Sequence, residues 1–263
     1  MPDAAPIPAR IRRDRMLSLV REREFVRVAE LAERFEVSEV TVRTDLDALA
    51  DRGLLRRVRG GAVPGTGPLV ERRFEESTVA AAAEKRDIAR AAAAMVQSGE
   101  TVILDVGTTT TAIAQELARR DDLHDVTVFT SSLTIAMALE AATPGFTVVV
   151  TGGTLRPAQH SLVEPLAGLV LAQIRAGIAF LGCNGVDVRG GVTNVNLPET
   201  QVKKLILQAA QRRVICADHT KLGAVALAHV CSLDEVDLLL TDRAADPELL
   251  DELRETGLTI QLA

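Results

Sequence analysis

A chain of 263 residues is long for one compact domain, and 47% hydrophobic with 25% charged residues describes a folded protein, not a disordered one. No apolar run reaches the ~18 residues of a membrane span, and the opening M-P-D-A-A-P-I-P-A-R lacks the features of a secretion signal, so a cytoplasmic chain with no membrane partner is expected. The net charge of −6 argues against a chain coated in nucleic acid, yet it hides an asymmetry: residues 1–63 carry 13 basic side chains, all arginine, against 11 acidic, and residues 64–263 carry 17 against 25.

In chain order, residues 1–9 are rich in Pro and Ala, and three short helical patterns follow. Ile11, Arg15, Met16, Leu19 and Val20 recur at spacings of three and four, as do Val28, Leu31, Ala32 and Phe35. Ser38 can N-cap a third helix in which Val42, Leu46 and Leu49 share a face. Only Glu36, Val37 and Ser38 separate the second pattern from the third, which suits a helix-turn-helix. The run L-L-R-R-V-R-G-G-A-V then turns at Gly60-Gly61 as a small hairpin, a wing. P-G-T-G-P at 64–68 breaks structure, and Val79 to Met95 has strong helix propensity.

From residue 99 short β-rich runs alternate with helical ones. Seven strands are expected: T-V-I-L-D-V, V-T-V-F-T-S, F-T-V-V-V-T, I-A-F-L-G-C, R-V-I-C-A-D, V-D-L-L-L-T and L-T-I-Q-L. Helical patterns lie near 110–119, 133–141, 165–175, 198–211 and 246–255. The fold class is therefore α/β, a mostly parallel sheet covered on both faces. The expected division is a winged helix-turn-helix over 10–63, a linker over 64–78 and an α/β domain over 79–263.

A helix of 100° per residue that buries Val42, Leu46 and Leu49 turns Val40, Thr44, Asp47 and Asp51 outward, with Thr41 and Arg43 on the flanks. Recognition helices read bases through their N-terminal residues, so Val40, Thr41, Arg43 and Thr44 are the candidate readers, with Ser38 at the cap. Arg43 can fork onto a guanine edge, and Arg52, Arg56, Arg57 and Arg59 in or beside the wing can hold phosphates. A plain helical bundle with a solvated arginine face is the other reading of these residues.

Asp105-Val106-Gly107-Thr108-Thr109-Thr110-Thr111 follows a strand and opens a helix, an arrangement that binds phosphate and also occurs as a simple cap. Small polar turns end four further strands: Thr130-Ser131-Ser132, Thr151-Gly152-Gly153-Thr154, Gly182-Cys183-Asn184-Gly185 and Asp218-His219-Thr220-Lys221. At the carboxyl ends of a parallel sheet these can converge on one pocket, or serve as everyday turns. Glu199 and Lys203, four apart, read either as a surface pair or as a hydroxyl acceptor and a positive charge for a ligand. Cys183, Cys216 and Cys231 form no C-x-x-C and read as reduced thiols, and His124, His160, His219 and His229 show no ligand spacing; no metal and no cofactor is expected.

The run R-M-L-S-L-V through V-S-E-V-T-V-R-T-D-L-D-A-L-A-D-R-G-L-L-R-R-V-R-G-G-A-V resembles the N-terminal signature of the DeoR family of bacterial regulators. E-K-R-D-I-A, L-D-V-G-T-T-T, T-G-G-T-L-R, G-C-N-G-V, P-E-T-Q-V-K-K and A-D-H-T-K-L-G are similar to that family's sensor domain, so the resemblance spans about residues 10–263. It implies a fold related to ribose-5-phosphate isomerase and glucosamine-6-phosphate deaminase, and binding of a phosphorylated sugar that changes DNA affinity. It carries over Asp105, Gly107, Thr108, Thr109 and Thr110 as a phosphate loop, with Gly152, Asn184, Gly185, Glu199, Lys203, Asp218 and Lys221 on the sugar side. The chain departs from the family at Thr44, where a second arginine is usual, at Ser131, where Asn is frequent, and at His219-Thr220, where Ser-Ser is.

The function expected is a DNA-binding repressor of carbohydrate genes released by a sugar phosphate, paired as a homodimer or homotetramer because one short helix reads too few bases. An isomerase or deaminase of the related fold is the alternative, and the helix-turn-helix speaks against it. An activator, or a sensor of another anion, fits the same residues.

Overall fold

Every apolar run read as a strand forms one in the computed structural model, which describes residues 7–23, 25–51, 54–64, 71–140 and 145–263. The chain divides into two compact units, residues 1–70 and 71–263.

The first unit holds helices α1 (Ala9–Arg23), α2 (Val28–Phe35) and α3 (Glu39–Asp51), with strands β1 (Val26–Arg27), β2 (Leu55–Val58) and β3 (Gly61–Pro64) in an antiparallel sheet ordered β1-β3-β2. Its core is Met16, Leu17, Leu19, Val20, Val28, Leu31, Phe35, Val42, Leu46, Leu49 and their neighbours. One expectation fails here. Ile11 is 45% exposed and Arg15 lies outside, while Arg12 turns inward at 9%. Its Nε donates to Asp45 Oδ2 at 2.6 Å, and Arg13 Nε donates to Asp45 Oδ1 at 3.0 Å, so α1 is tied to the buried side of α3 by charge as well as by packing.

In the second unit the helix-prone stretch from Val79 to Met95 forms α5 (Ala82–Ala93), and a short helix the sequence did not announce, α4 (Phe74–Val79), precedes it. The chain breaks at Ala80-Ala81, where Ala81 takes a left-handed φ of 50°. Buried Lys85 reaches back to the break and donates from Nζ to the carbonyls of Ser77 (2.5 Å) and Ala80 (2.7 Å), the orphan acceptors of a helix C-terminus. Then follow β4 (Thr101–Leu104), α6 (Thr108–Leu117), β5 (Val126–Thr130), α7 (Leu133–Glu140) and β6 (Phe146–Val150). A hairpin of β7 (Thr154–Arg156) and β8 (Ser161–Val163) leads to α8 (Leu166–Leu171) and β9 (Ala176–Leu181). After β10 (Gly185–Asp187), β11 (Gly191–Asn194) and α9 (Leu197–Ala209) come β12 (Ala210–Cys216), β13 (Ala228–Cys231), β14 (Leu238–Thr241), α10 (Pro247–Glu255) and β15 (Ile260–Leu262).

Seven strands make a parallel sheet ordered β15-β14-β12-β9-β4-β5-β6. Alternation along each strand sends Val102, Leu104, Ile178, Phe180, Val214 and Leu240 to a core shared with α5, α6 and α7. Ile103, Ala179, Leu181, Ile215 and Leu239 go to the opposite core, under α8, α9 and α10. Both faces being covered, the strands read as continuous apolar runs. Chain order reverses between β4 and β9, the first and fourth strands of the sheet, and their carboxyl ends flank the switch point where such sheets hold ligands. A smaller antiparallel sheet, β10-β11-β13, packs Gly185 so closely that a Cβ there would lie 2.2 Å from the Ala224 carbonyl oxygen.

Candidate functional site

Asp105 leaves β4 at the switch point, fully buried, and Lys203 on α9 reaches it from the other side of the sheet end. Lys203 Nζ donates to Asp105 Oδ2 and to the Gly182 carbonyl beyond β9 (2.9 Å), and Gly182 N–H donates to the same Oδ2 at 3.1 Å. Burial pushes the Asp105 carboxyl above its usual range against the pull of Lys203, and Glu199 adds to the upward push. Asp105 Oδ1 and the Ser131 hydroxyl are buried without a hydrogen-bond partner. Two unpaired polar atoms at the ends of neighbouring strands cost desolvation with no return unless something binds there.

Glu199 and Lys203 do not pair with each other, and neither is on the surface. Glu199, in the first turn of α9, accepts from Ser161 Oγ (2.7 Å) and Arg156 Nη1 (2.5 Å), both on the β7–β8 hairpin. The cap that starts α9 is Asn196, whose side chain accepts from Glu199 N–H at 3.1 Å. Cys183 is hemmed in by the charges of Lys203, Lys221, Asp218 and Asp105, and burial pushes its thiol up to about 12, which removes it as a nucleophile. Asp105, Glu199, Lys203, Asp218 and Lys221 therefore share one neighbourhood.

Gly107 caps α6 at a φ of 138°, open to glycine and strained for other residues. Thr110 and Thr111 spend their hydroxyls on the Gly107 carbonyl (3.0 and 2.8 Å), so Thr110 has its backbone N–H to offer an anion, beside Thr108 and Thr109. Thr111 also meets Thr134 at 3.0 Å, which joins the first turns of α6 and α7. Asn184 Oδ1 accepts from Val195 N–H at 2.9 Å, which ties the loop after β9 to the segment entering α9, and Asp218 Oδ1 accepts from Thr220 N–H at 3.1 Å, which braces its own loop. Gly152 turns the chain after β6 at a φ of 72°. His219 donates its N–H to Asp242 Oδ2 (2.7 Å), and its Nδ1 lies 3.0 Å from Oδ1.

On the first unit, Ser38 Oγ accepts from Thr41 N–H at 3.1 Å, and Val40, Arg43 and Thr44 are exposed while Thr41 is half-buried. Arg43 pairs with Glu39 at 2.8 Å on the same exposed face. Arg56 and Arg59 are exposed on the wing. Arg57 is held toward α3 by Asp47 at 3.4 Å, and Arg52 lies outside the described residues. Arg156, Ser161 and Lys85 were not singled out as site residues from sequence, although Arg156 and Lys85 stand inside two of the family-like motifs, T-G-G-T-L-R and E-K-R-D-I-A.

A helix-turn-helix with a wing, followed by a parallel α/β unit with a charged cluster at its switch point, defines a ligand-sensing transcription regulator. The model of the DeoR-like helix-turn-helix domain matches residues 12–65, and that of the DeoR C-terminal sensor domain matches residues 80–243. The chain belongs to the DeoR family of DNA-binding transcriptional regulators. It is 34% identical to the transcriptional regulator GlpR of Haloferax volcanii, over 95% of this chain and 96% of that one. It is 31% identical to the regulator GolR of Listeria innocua (96% and 98%) and 28% identical to the glycerol-3-phosphate regulon repressor of Escherichia coli (95% and 98%). Among solved structures it aligns with ribose 5-phosphate isomerase A of Methanocaldococcus jannaschii at 18% identity and a TM-score of 0.40, over 54% of this chain and 55% of that one, a likeness too loose to carry an argument.

Proposed function

We propose that the protein is a cytoplasmic repressor of carbohydrate genes that leaves its operator when a phosphorylated sugar binds the sensor unit. The observation that carries this reading is the buried Asp105–Lys203 pair at the switch point, beside the unpartnered Asp105 Oδ1 and Ser131 Oγ. In the proposed complex the phosphate sits on the free N–H groups at the start of α6, where Gly107, Thr108, Thr109 and Thr110 place the positive end of the helix dipole. Glu199 accepts ligand hydroxyls, and Lys203 and Lys221 supply charge, with Ser131, Gly152, Asn184, Gly185 and Asp218 shaping the walls. The E. coli relative named as repressor of a glycerol-3-phosphate regulon supports an effector of this chemistry.

Residues 10–63 bind DNA in this reading, 64–70 connect, and the unit of residues 71–263 senses the effector. Ser38, Val40, Thr41, Arg43 and Thr44 face bases, and Arg52, Arg56 and Arg59 face phosphates, while Arg57 braces the wing against Asp47. The working unit is a homodimer or homotetramer, and the sensor binds its ligand without turning it over. Effector and operator favour different states of the protein, so each lowers the affinity for the other.

A gel shift with DNA upstream of the protein's own gene tests this, run with and without glycerol 3-phosphate, ribose 5-phosphate, fructose 6-phosphate and galactose 6-phosphate. Specific binding abolished by one of these supports the reading. Binding indifferent to all of them overturns the effector assignment, and absence of specific binding overturns the DNA assignment.

A further inference from the structure

Among the described residues, Arg156 is the side chain that touches both the candidate effector site and the first residues of the sensor unit. Its Nη1 donates to Glu199 Oε1 (2.5 Å), and its Nη2 donates to both carboxylate oxygens of Glu71 (3.0 and 2.7 Å). One guanidinium thus serves two carboxylates, each mostly shielded from water, and the three groups carry a net charge of −1. Glu71 and Arg156 are 85 residues apart, so the contact is purely tertiary.

The ion pair is one of several fastenings. Phe74 N–H donates to the Ala158 carbonyl (2.9 Å), Gln159 Nε2 to the Arg72 carbonyl (2.6 Å), and His160 Nε2 meets Glu75 Oε1 at 2.9 Å. The Phe74 ring stands edge-on to His160 with centroids 5.4 Å apart. Residues 71–75 are therefore laid along the β7–β8 hairpin, and the same hairpin presents Arg156 and Ser161 to Glu199. Lys85 fastens the far end through the Ser77 and Ala80 carbonyls. Glu71 itself is seven residues along the chain from Pro64, the end of the wing strand.

We propose that Arg156 couples the effector site to the strap of residues 71–75: a ligand hydroxyl that takes Glu199 Oε1 displaces Arg156, which loosens its grip on Glu71 and frees the strap from the hairpin. The proposal rests on the effector reading above and adds the route by which binding is felt. Glu71 and Gln159 lie outside the ligand-binding set, so changing them alters transmission without removing a ligand contact.

The test uses the full chain, operator DNA and whichever of the four sugar phosphates releases the wild type. Operator affinity is measured with and without that phosphate, and phosphate affinity is measured separately by calorimetry without DNA. Allosteric couplings of this kind span roughly 5- to 150-fold. Glu71→Gln should bind the phosphate in calorimetry at least as tightly as wild type, because the ligand no longer works against the Glu71 grip, and should shrink the phosphate-induced loss of operator affinity to under about twofold. Gln159→Ala, which removes only the bond to the Arg72 carbonyl, should shrink it in the same direction. Hydrogen exchange at the Phe74 amide should accelerate when the phosphate binds the wild type. Full release of DNA by both variants, or a Phe74 amide unmoved by ligand, overturns the coupling while the effector reading stands. A wild type that binds none of the four phosphates by calorimetry overturns both.

Discussion

Lys203 and Asp105 show what a buried pair is for when nothing else satisfies its second oxygen. A pair with both members almost fully buried contributes little net stability, because the desolvation of two charges offsets their attraction, but removing one partner leaves a bare charge. Lys203→Met should cost about 3 kcal/mol in urea unfolding, limited by protonation of Asp105, whose pKa burial already raises. The double change Lys203→Met with Asp105→Asn should recover much of that stability and none of the sugar-phosphate affinity. Recovered affinity would mean the pair is structural. His219 offers a cleaner titration. The Asp242 hydrogen bond raises its pKa above the usual 6.5, so the pair's contribution is complete below about pH 6.5 and fades as pH rises through the raised value. The ring is partly exposed, which holds that contribution to about 1 kcal/mol or less. Asp242→Asn should flatten the pH dependence of the thermal midpoint across that window, and an unchanged slope would assign it to another group.

At the scale of elements, α3 carries two opposite charge systems. Arg12 and Arg13 grip Asp45 on its buried side, whereas Arg43 and Glu39 pair on its exposed one. Asp45→Ala strands Arg12 and should lower the stability of the first unit by about 3 kcal/mol. Arg43→Ala breaks a solvated pair worth a few tenths of a kcal/mol, so stability should hold while discrimination between operator and scrambled DNA falls by roughly 1–3 kcal/mol. Arg43→Ala DNA binding that stays fully sequence-specific would move base reading elsewhere on the helix. The seven sheet strands and the apolar faces of α2 and α3 were legible because burial on one or both faces leaves a periodic trace in the chain. Ile11 was misplaced because Arg12 buries its charge against Asp45, 33 residues away, and no local pattern reports that partner. The β7–β8 hairpin has strands of three residues with Thr154 and Leu155 exposed, too short and too solvated for alternation to show. The loops of the candidate effector site could be read from their Gly and Thr, but the bonds that join them, Lys203 to Asp105 across 98 residues and Glu199 to Ser161 across 38, exist only in the fold.

For the whole molecule, charge asymmetry confines DNA contact to the arginine-bearing end, since residues 64–263 carry an excess of acidic side chains that a phosphate backbone repels. That confinement makes the salt dependence of operator binding a count of wing contacts. Each neutralised phosphate contributes about −0.9 to the slope of log K against log salt. Arg56 and Arg59 stand exposed on the wing while Arg57 is turned to Asp47, so these two alone give two phosphates per subunit, four in a dimer, and a slope of about −3.6 before Arg52 or any other contact is added. In a dimer, two recognition helices related by a two-fold axis would place half-sites centred about 10 base pairs apart, or a multiple of that, in a footprint. Arg56→Ala removes one contact from each subunit and should flatten the slope by about 2 in a dimer, but by only about 1 in a monomer, at unchanged sequence preference. Arg43→Ala should do the reverse, costing preference and leaving the slope near its wild-type value. If both variants change slope and preference together, helix and wing do not divide the work of reading and gripping DNA.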